Sequence, residues 1–90
     1  MIDIIKIVGI EKLGGYRLRL RFSDGTEGEH DFSEMVAMPG PMVAPLKSPE
    51  FFARAFLQLG TLTWPNGFDL DSIALHDEMK SAGRLRRSAA

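Results

Sequence analysis

The sequence predicts an α+β fold in which a small antiparallel β-meander sheet carries two or three short helices packed on one face. Three observations support this prediction. Residues 16–22 alternate apolar and polar side chains without a break, as a half-buried strand does. The turn signal Ser23-Asp24-Gly25 follows and leads into a second strand. Farther along, Ser48-Pro49-Glu50 combines a hydroxyl cap, a proline and an acid, which marks the start of a helix.

Length and composition indicate one domain. The chain has 90 residues, 44% of them hydrophobic and 26% charged, as in an ordinary soluble protein. We expect a single domain over residues 1–80 and a basic, flexible tail over residues 81–90. The absence of cysteine excludes disulfides, thiolate metal sites and thiol nucleophiles. Asp3 and Lys6 interrupt the apolar start, and no apolar run is long enough to span a bilayer, so we expect a cytoplasmic protein.

The net charge of −1 is unevenly distributed. The C-terminal segment contributes +4, which leaves −5 for residues 1–79. A basic tail is one way to contact nucleic acid, and the residues that would do so are Lys80, Arg84, Arg86 and Arg87. We favour the alternative of a solvated terminus, because a few charges on a flexible segment attract nucleic acid weakly and read no sequence.

The hairpin around Gly25 predicts which side chains face each other. With a three-residue loop, Leu18 faces His30 and Tyr16 faces Phe32 on the buried side. A two-residue loop would instead bury unpaired glutamates. The predicted charged pairs are Arg21–Glu27, Arg19–Glu29 and Arg17–Asp31. The arginines are therefore predicted to form a cross-strand ion-pair ladder rather than a platform for phosphate.

A turn at Leu13-Gly14-Gly15 predicts one more strand before this hairpin. It would pair Glu11 with Arg17, and it would place Val8 and Ile10 opposite Leu20 and Leu18. Arg17 would then lie between two acids, which further neutralises the face.

The middle of the chain predicts short helices and an apolar loop. A short helix within residues 32–38, with Ser33 as its cap, must end at Pro39-Gly40-Pro41. After the helix that begins at Ser48, residues 55–59 either continue it or form a strand. Residues 61–64 resemble a final strand.

Methionines surround the apolar loop, and the special segment Trp64–Asp71 follows it. Adaptable methionine surfaces suit a protein partner, but we favour the alternative that this loop covers the open face of the sheet, and the two roles are compatible. In the later segment we expect a turn at residues 65–67, held by Asp69, and a helix over 72–80 capped by Asp71 with Ile73 and Met79 buried. Trp64 is either the centre of the core, which we favour, or an exposed stacking surface. The predicted partner-binding residues are Met38, Met42, Val43, Trp64, Asn66 and Asp69.

Nothing in the sequence predicts an enzyme. His30-Asp31 and His76-Asp77 pair a histidine with a carboxylate, but their spacing defines no metal site, and we expect no metal and no cofactor. No glycine-rich phosphate loop and no nucleophile with a convergent base is apparent. A weak ligand or metal site formed by Trp64, Asn66, Asp69 and His76 remains an alternative.

Several motifs in order resemble the small bacterial family called domain of unknown function 2442. They are YRLRLRFSDG at 16–25, Asp31-Phe32, Pro45-Leu46, SPEFF at 48–52 and TWPNGFDL at 63–70. The resemblance covers about Ile4 to Leu75, and the Trp-Pro-Asn-Gly-Phe-Asp run at 64–69 is its most specific part. It implies an α+β fold with a small antiparallel sheet and short helices on one side, with no established catalytic activity.

Members of that family are often single-domain proteins, some carry a helix-turn-helix domain after this unit, and some are encoded beside small toxin-like proteins. The resemblance thus implies an antitoxin-like accessory module. Only about fifteen residues follow Leu75, so we do not expect direct transcriptional control. We predict a non-enzymatic module that binds a protein partner or a second copy of itself.

Overall fold

The computed structural model describes residues 4–88 and confirms the α+β fold. The strands are β1 (Ile7–Gly14), β2 (Arg17–Phe22), β3 (Thr26–Asp31), β4 (Phe56–Gln58), β5 (Thr61–Thr63), β6 (Asp69–Leu70) and β7 (Arg86–Arg87). The α-helices are α1 (Ser33–Val36), α2 (Pro49–Phe52) and α3 (Ser72–Ser81), and a 3₁₀ helix spans Ala44–Lys47. The strands form two antiparallel sheets, in the orders β1-β2-β3-β7 and β4-β5-β6, where the sequence predicted one sheet.

The predicted register of β2 and β3 is confirmed. Leu18 pairs with His30, and the three arginines pair with the three predicted acids. The Phe32 amide donates to the Tyr16 carbonyl at 2.8 Å, which continues the same register. Gly25 has a φ of +86°, the left-handed conformation that the three-residue loop requires. The alternating pattern and this glycine were sufficient to predict the pairing.

The predicted register of β1 is wrong by two residues. Glu11 pairs with Arg19 rather than Arg17, and Ile10 pairs with Leu20. The chain turns later than expected, because both Gly14 and Gly15 adopt positive φ and β1 continues to Gly14. Val8 lies at an irregularity in the pairing between Ile7 and Gly9, and its side chain is exposed.

The second sheet resolves the ambiguity of residues 55–59 in favour of a strand. β4 and β5 join through Leu59 and Gly60, both at positive φ, as a two-residue hairpin turn requires. Leu59 is 92% exposed in this conformation, which an apolar side chain rarely adopts. The predicted final strand is not final, because β6 and β7 follow it.

Two of the three predicted N-terminal helix caps are present in the structure. Ser48 accepts the Phe51 amide at the start of α2, and Asp71 accepts the Ile73 amide at the start of α3. Ser33 does not cap α1; instead the Asp31 carboxylate accepts the Ser33 amide and hydroxyl. Met79 is buried as expected, but Ile73 is exposed.

The core lies between the first sheet, the helices and the second sheet. Its largest members are aromatic, and the rings of Phe32, Phe52 and Phe68 pack around Trp64. The other large, fully buried side chains are Phe22, Phe32, Phe52, Ile7, Leu18, Leu20, Leu46, Leu62 and Met79.

The C-terminal segment differs from the predicted solvated tail. Arg86 and Arg87 form β7, which pairs with Thr26 and Glu27 of β3. The chain approaches β3 so closely that a Cβ on Gly28 would lie 2.1 Å from the Arg84 carbonyl oxygen. The segment is therefore packed on the domain through residue 88; residues 89 and 90 of the predicted tail lie outside the described residues.

Candidate functional site

The segment that begins at Trp64 is a tight turn stabilised by its own backbone. The Gly67 amide donates to the Trp64 carbonyl and the Trp64 amide donates to the Phe68 carbonyl, both at 2.9 Å. Gly67 has a φ of +90°, which explains the glycine. The Asn66 side-chain oxygen accepts the Phe68 amide at 3.2 Å. Asn66, and not Asp69 as predicted, therefore stabilises this turn with its side chain.

Asn66 also connects the turn to the apolar loop. Its side-chain amide donates to the Met42 carbonyl at 2.9 Å. The structure thus brings together Met42, Val43 and Asn66, which the sequence had assigned to one surface. The hydrogen bond joins residues far apart in the chain, so no local sequence pattern indicates it.

Lys47 fixes the other end of the loop, and sequence reasoning missed this residue. Its ammonium donates to the carbonyls of Val36 and Met38, the latter at 3.1 Å, where α1 has ended. The Tyr16 hydroxyl donates in turn to the Lys47 carbonyl. A helix that must stop at Pro39 leaves its last backbone carbonyls without partners inside the helix. This was the one feature of the sequence from which a lysine bonding to those carbonyls could have been predicted.

We name residues 38–46 the anchored loop. Its backbone is fixed by Lys47 and Asn66, whereas its methionine side chains point outward. Met38 is 57% exposed and Met42 is 45% exposed, while Val43 is half-buried. The loop therefore presents flexible apolar side chains on a fixed backbone, which suits binding to another apolar surface.

Trp64 lies in the core beneath this loop. Only 1% of it is exposed, and its indole N–H donates to the Phe52 carbonyl at 2.9 Å. Its ring contacts Phe52 and Phe68 with centroid separations of 5.5 and 5.8 Å. Trp64 offers no surface to a partner in this conformation and supports the turn from below.

Asp69 lies in β6 opposite Thr63, and its side chain is exposed. Its carboxylate has no hydrogen-bond or ion-pair partner among residues 4–88. It is therefore free to interact with a ligand or a partner.

His76 is buried and has a structural role. Its Nε2 lies 2.8 Å from Asp24 Oδ2, and its ring packs edge-on against Phe22. Burial alone would raise the pKa of Asp24, but hydrogen bonds from Thr26 and His76 outweigh burial and lower that pKa. The pair attaches α3 to the β2–β3 turn, and the contacts of His76 are with Asp24, Asp77 and Phe22 rather than with the other residues suggested for a ligand site.

His30 lines an open cleft of about 800 Å³, which we name the β3 cleft. Burial lowers the pKa of His30, and its Nε2 lies 3.6 Å from Glu78 Oε2. Its Nδ1 has no hydrogen-bond partner within residues 4–88. Besides His30, the residues that line the cleft are Asp31, Ser33, Glu34, Met35, Met38, Glu78, Ala82 and Arg84.

The outer face of the first sheet is neutralised by ion pairs. Arg19 contacts Glu11 at 2.9 Å and Glu29 at 3.1 Å, so Arg19 rather than Arg17 lies between two acids. Arg17 contacts Glu29 at 2.8 Å. Glu27 is paired at 3.1 Å with Arg86, and not with Arg21 as the ladder predicted.

Two of the four basic C-terminal side chains already have partners. Arg86 pairs with Glu27, and Arg87 donates to the Asp24 carbonyl at 3.3 Å. Lys80 and Arg84 are exposed, and Arg84 lines the β3 cleft. The four charges are thus spread over the domain rather than collected on a tail.

Residues 4–88 contain neither a cluster of metal ligands nor a membrane-spanning helix. No group of three or more histidine, aspartate or glutamate side chains there is arranged to hold a metal ion. In the same part of the chain, no helix is both long enough and apolar enough to cross a membrane.

Comparison with known proteins identifies the family. The family model described as "Protein of unknown function (DUF2442)" matches residues 7–81, which is most of the chain. The chain belongs to this family, as the motifs between Tyr16 and Leu70 indicated. No curated protein and no solved structure matches it.

Proposed function

We propose that this member of the family is a non-enzymatic, antitoxin-like accessory protein of bacteria that binds a small partner protein. The contact surface consists of the anchored loop together with the side chains of Asn66 and Asp69. One observation carries the proposal: Lys47 and Asn66 fix the loop backbone while Met38 and Met42 remain exposed. A loop that needs little further ordering loses little conformational entropy when it binds.

The surface combines an apolar centre with a charged edge. Met38 and Met42 supply flexible apolar contact, and the exposed, unpartnered carboxylate of Asp69, three residues after Asn66, supplies a charge. Such a surface suits a partner with a complementary apolar patch and a basic residue at its margin.

Co-expression with the protein encoded by the adjoining gene tests this proposal. We expect the two proteins to purify together, and we expect Met42→Asp to weaken the complex by about tenfold or more, as the loss of a central contact does. Ile73→Asp is the matched control, because it introduces the same charge on α3 and because Ile73 and Met42 are both 45% exposed. No complex with the wild-type chain, or equal losses for the two variants, would contradict the proposal.

A second copy of the chain is the other candidate partner at this surface. Sedimentation of the purified protein distinguishes the two. A dimer that Met42→Asp separates into monomers would assign the surface to self-association.

The alternative of nucleic-acid binding receives less support, because Arg86 and Arg87 are already paired within the domain. Its test is retention on a DNA duplex at low salt. Binding that Lys80→Gln and Arg84→Gln abolish would favour it over a protein partner.

A further inference from the structure

The β3 cleft exists because β7 covers only part of the outer edge of β3. The pairing of β7 with β3 is limited to Thr26 and Glu27. Before β7 the chain leaves the sheet, since the Arg84 amide donates to the Met79 carbonyl at the end of α3. Within residues 4–88 no strand pairs with the rest of this edge. The cleft lies between that edge, α1 and the end of α3.

The backbone of this edge has a defined orientation. The Phe32 amide bonds to Tyr16 across the β2–β3 ladder, and the Ser88 amide bonds to the Gly25 carbonyl on the opposite side of β3. Because alternate residues of an antiparallel strand bond to opposite neighbours, the N–H and C=O groups of Glu29 and Asp31 point away from β2. These are the groups with which an added strand pairs.

The side chains of the cleft are apolar with an acidic margin. Met35 is half-buried and Met38 is exposed, so the two provide a flexible apolar wall. Glu34 on α1 has no ion-pair or hydrogen-bond partner among the described residues, and Glu78 on α3 contacts only the half-buried His30. Asp31 is already bonded to Ser33.

The charge of the cleft is negative. Its lining holds three carboxylates, on Asp31, Glu34 and Glu78, against the single guanidinium of Arg84. His30 adds no positive charge in its neutral form, which burial favours. A cation entering the cleft therefore meets two carboxylates without cationic partners.

We propose that the β3 cleft binds an extended, basic segment of the partner protein. The backbone of that segment pairs with Glu29 and Asp31, and a lysine or arginine side chain lies along Met35 and Met38 to reach Glu34 and Glu78. A long basic side chain suits this path, since its methylene groups cover apolar surface while its charged end reaches the carboxylates. The inference rests on the proposed function and specifies the chemistry of the partner.

A synthetic peptide of alternating lysine and valine tests the charge requirement on the full chain. We expect it to shift the amide resonances of residues 29–31 and 35, and we expect a Glu34→Gln/Glu78→Gln variant to bind it about tenfold more weakly. Glu50→Gln is the matched control, because Glu50 is also an exposed helical glutamate without an ion-pair or side-chain hydrogen-bond partner among the described residues. Equal binding by the double variant, or equal binding of a glutamate–valine peptide, would overturn the inference.

A second peptide tests the backbone pairing. Methylation of alternate backbone nitrogens in the lysine–valine peptide removes the N–H groups that a strand donates, and we expect binding to be lost. Unchanged binding would overturn pairing with β3.

The two proposals fail in different ways. If the protein from the adjoining gene binds the wild-type chain and the Glu34→Gln/Glu78→Gln variant equally, the cleft inference is wrong and the proposed function stands. If that protein does not bind the wild-type chain at all, the proposed function is wrong.

Discussion

The meander formed by β1, β2 and β3 and the anchored loop use polar side chains in opposite ways. On the meander, polar side chains pair with one another, as Arg19 does with Glu11 and Glu29. Around the loop they bond to backbone carbonyls, as Lys47 and Asn66 do. The sheet backbone is already paired, so its side chains are free to neutralise each other. The anchored loop is not part of a sheet, so side chains bond to its backbone carbonyls, and Met38 and Met42 remain exposed.

This difference predicts how each region responds to mutation and salt. Exposed ion pairs contribute little to the free energy of unfolding, because solvent and salt screen the attraction between the charges. A carbonyl that loses its donor in a partly buried place is costlier, because the group remains desolvated. Changes around the loop should therefore have larger effects that do not depend on salt.

Trp64→Ala should have the largest effect. It removes the central side chain of the core and the donor to the Phe52 carbonyl, so we expect a loss of about 3–5 kcal/mol in the free energy of unfolding. Urea unfolding followed by circular dichroism measures it. A loss below about 1 kcal/mol would show that the loop and its turn do not depend on this residue.

Lys47→Met should cause the second largest loss in the free energy of unfolding. The substitution keeps an apolar stem of similar length but leaves the carbonyls of Val36 and Met38 without this donor, so we expect a loss of about 1–3 kcal/mol that is equal at low and high salt. The control is Lys12→Met, because Lys12 is exposed on β1 and makes no ion pair within residues 4–88. Equal effects of the two substitutions would remove the distinction between the regions.

Arg19→Gln should have a smaller effect than Lys47→Met although it removes two ion pairs. Both pairs lie on the solvent side of the meander, so the loss should shrink further as salt is added. Arg21→Gln is the control, since Arg21 has no ion pair among the described residues. The measurement is unfolding by urea at about 0.05 M and about 1 M sodium chloride. A loss that exceeds that of Lys47→Met and persists in salt would contradict the comparison.

The pH dependence of His30 should be the smallest effect. Burial lowers the pKa of His30 below its ordinary value of 6.5, so the folded state binds fewer protons than the unfolded state. The contribution of neutral His30 to the free energy of unfolding is therefore fully present above pH 6.5, and it is lost as the pH falls through the lowered pKa. We therefore expect His30→Gln to flatten the decline of unfolding free energy in mildly acidic solution. Parallel pH profiles for the wild type and the variant would contradict this.

The acids of the meander respond in a separate pH range. Hydrogen bonds from Arg19 and then Arg17 lower the pKa of Glu29 below its ordinary value of 4.5. The contribution of ionised Glu29 to the free energy of unfolding is therefore present above pH 4.5, and it is lost only as the pH falls through the lowered pKa. The contribution of Glu29 therefore begins to decline at a lower pH than that of His30, since their ordinary pKa values are 4.5 and 6.5.

Local patterns predicted the parts of the fold that depend on neighbouring residues. The alternation of residues 16–22 and one glycine predicted the β2–β3 register, and Ser48 and Asp71 predicted the caps that they form. The β1 register could not be predicted in the same way, because Gly14 and Gly15 permit a turn at either of two places. β7 consists of two residues, Arg86 and Arg87, which is too short to show a period.

The candidate site was harder to predict because its contacts join distant parts of the chain. A methionine-rich loop and a turn at Asn66 were visible in the sequence, but the exposure of Met38 and Met42, the bond from Asn66 to Met42 and the anchoring by Lys47 were not. Trp64 was correctly favoured as a core residue by its size. The β3 cleft depends on where the chain leaves β3 near Gly28 and Arg84, which no local pattern predicts.

The most direct test of the comparison is amide hydrogen exchange of the full chain with and without the protein encoded by the adjoining gene. We predict that binding slows exchange in the anchored loop and in residues 66–69, and leaves the amides of β1 and β2 unchanged. Slower exchange confined to β1 and β2, with the anchored loop unaffected, would contradict the account, because the neutralised face of the meander would then be the binding surface.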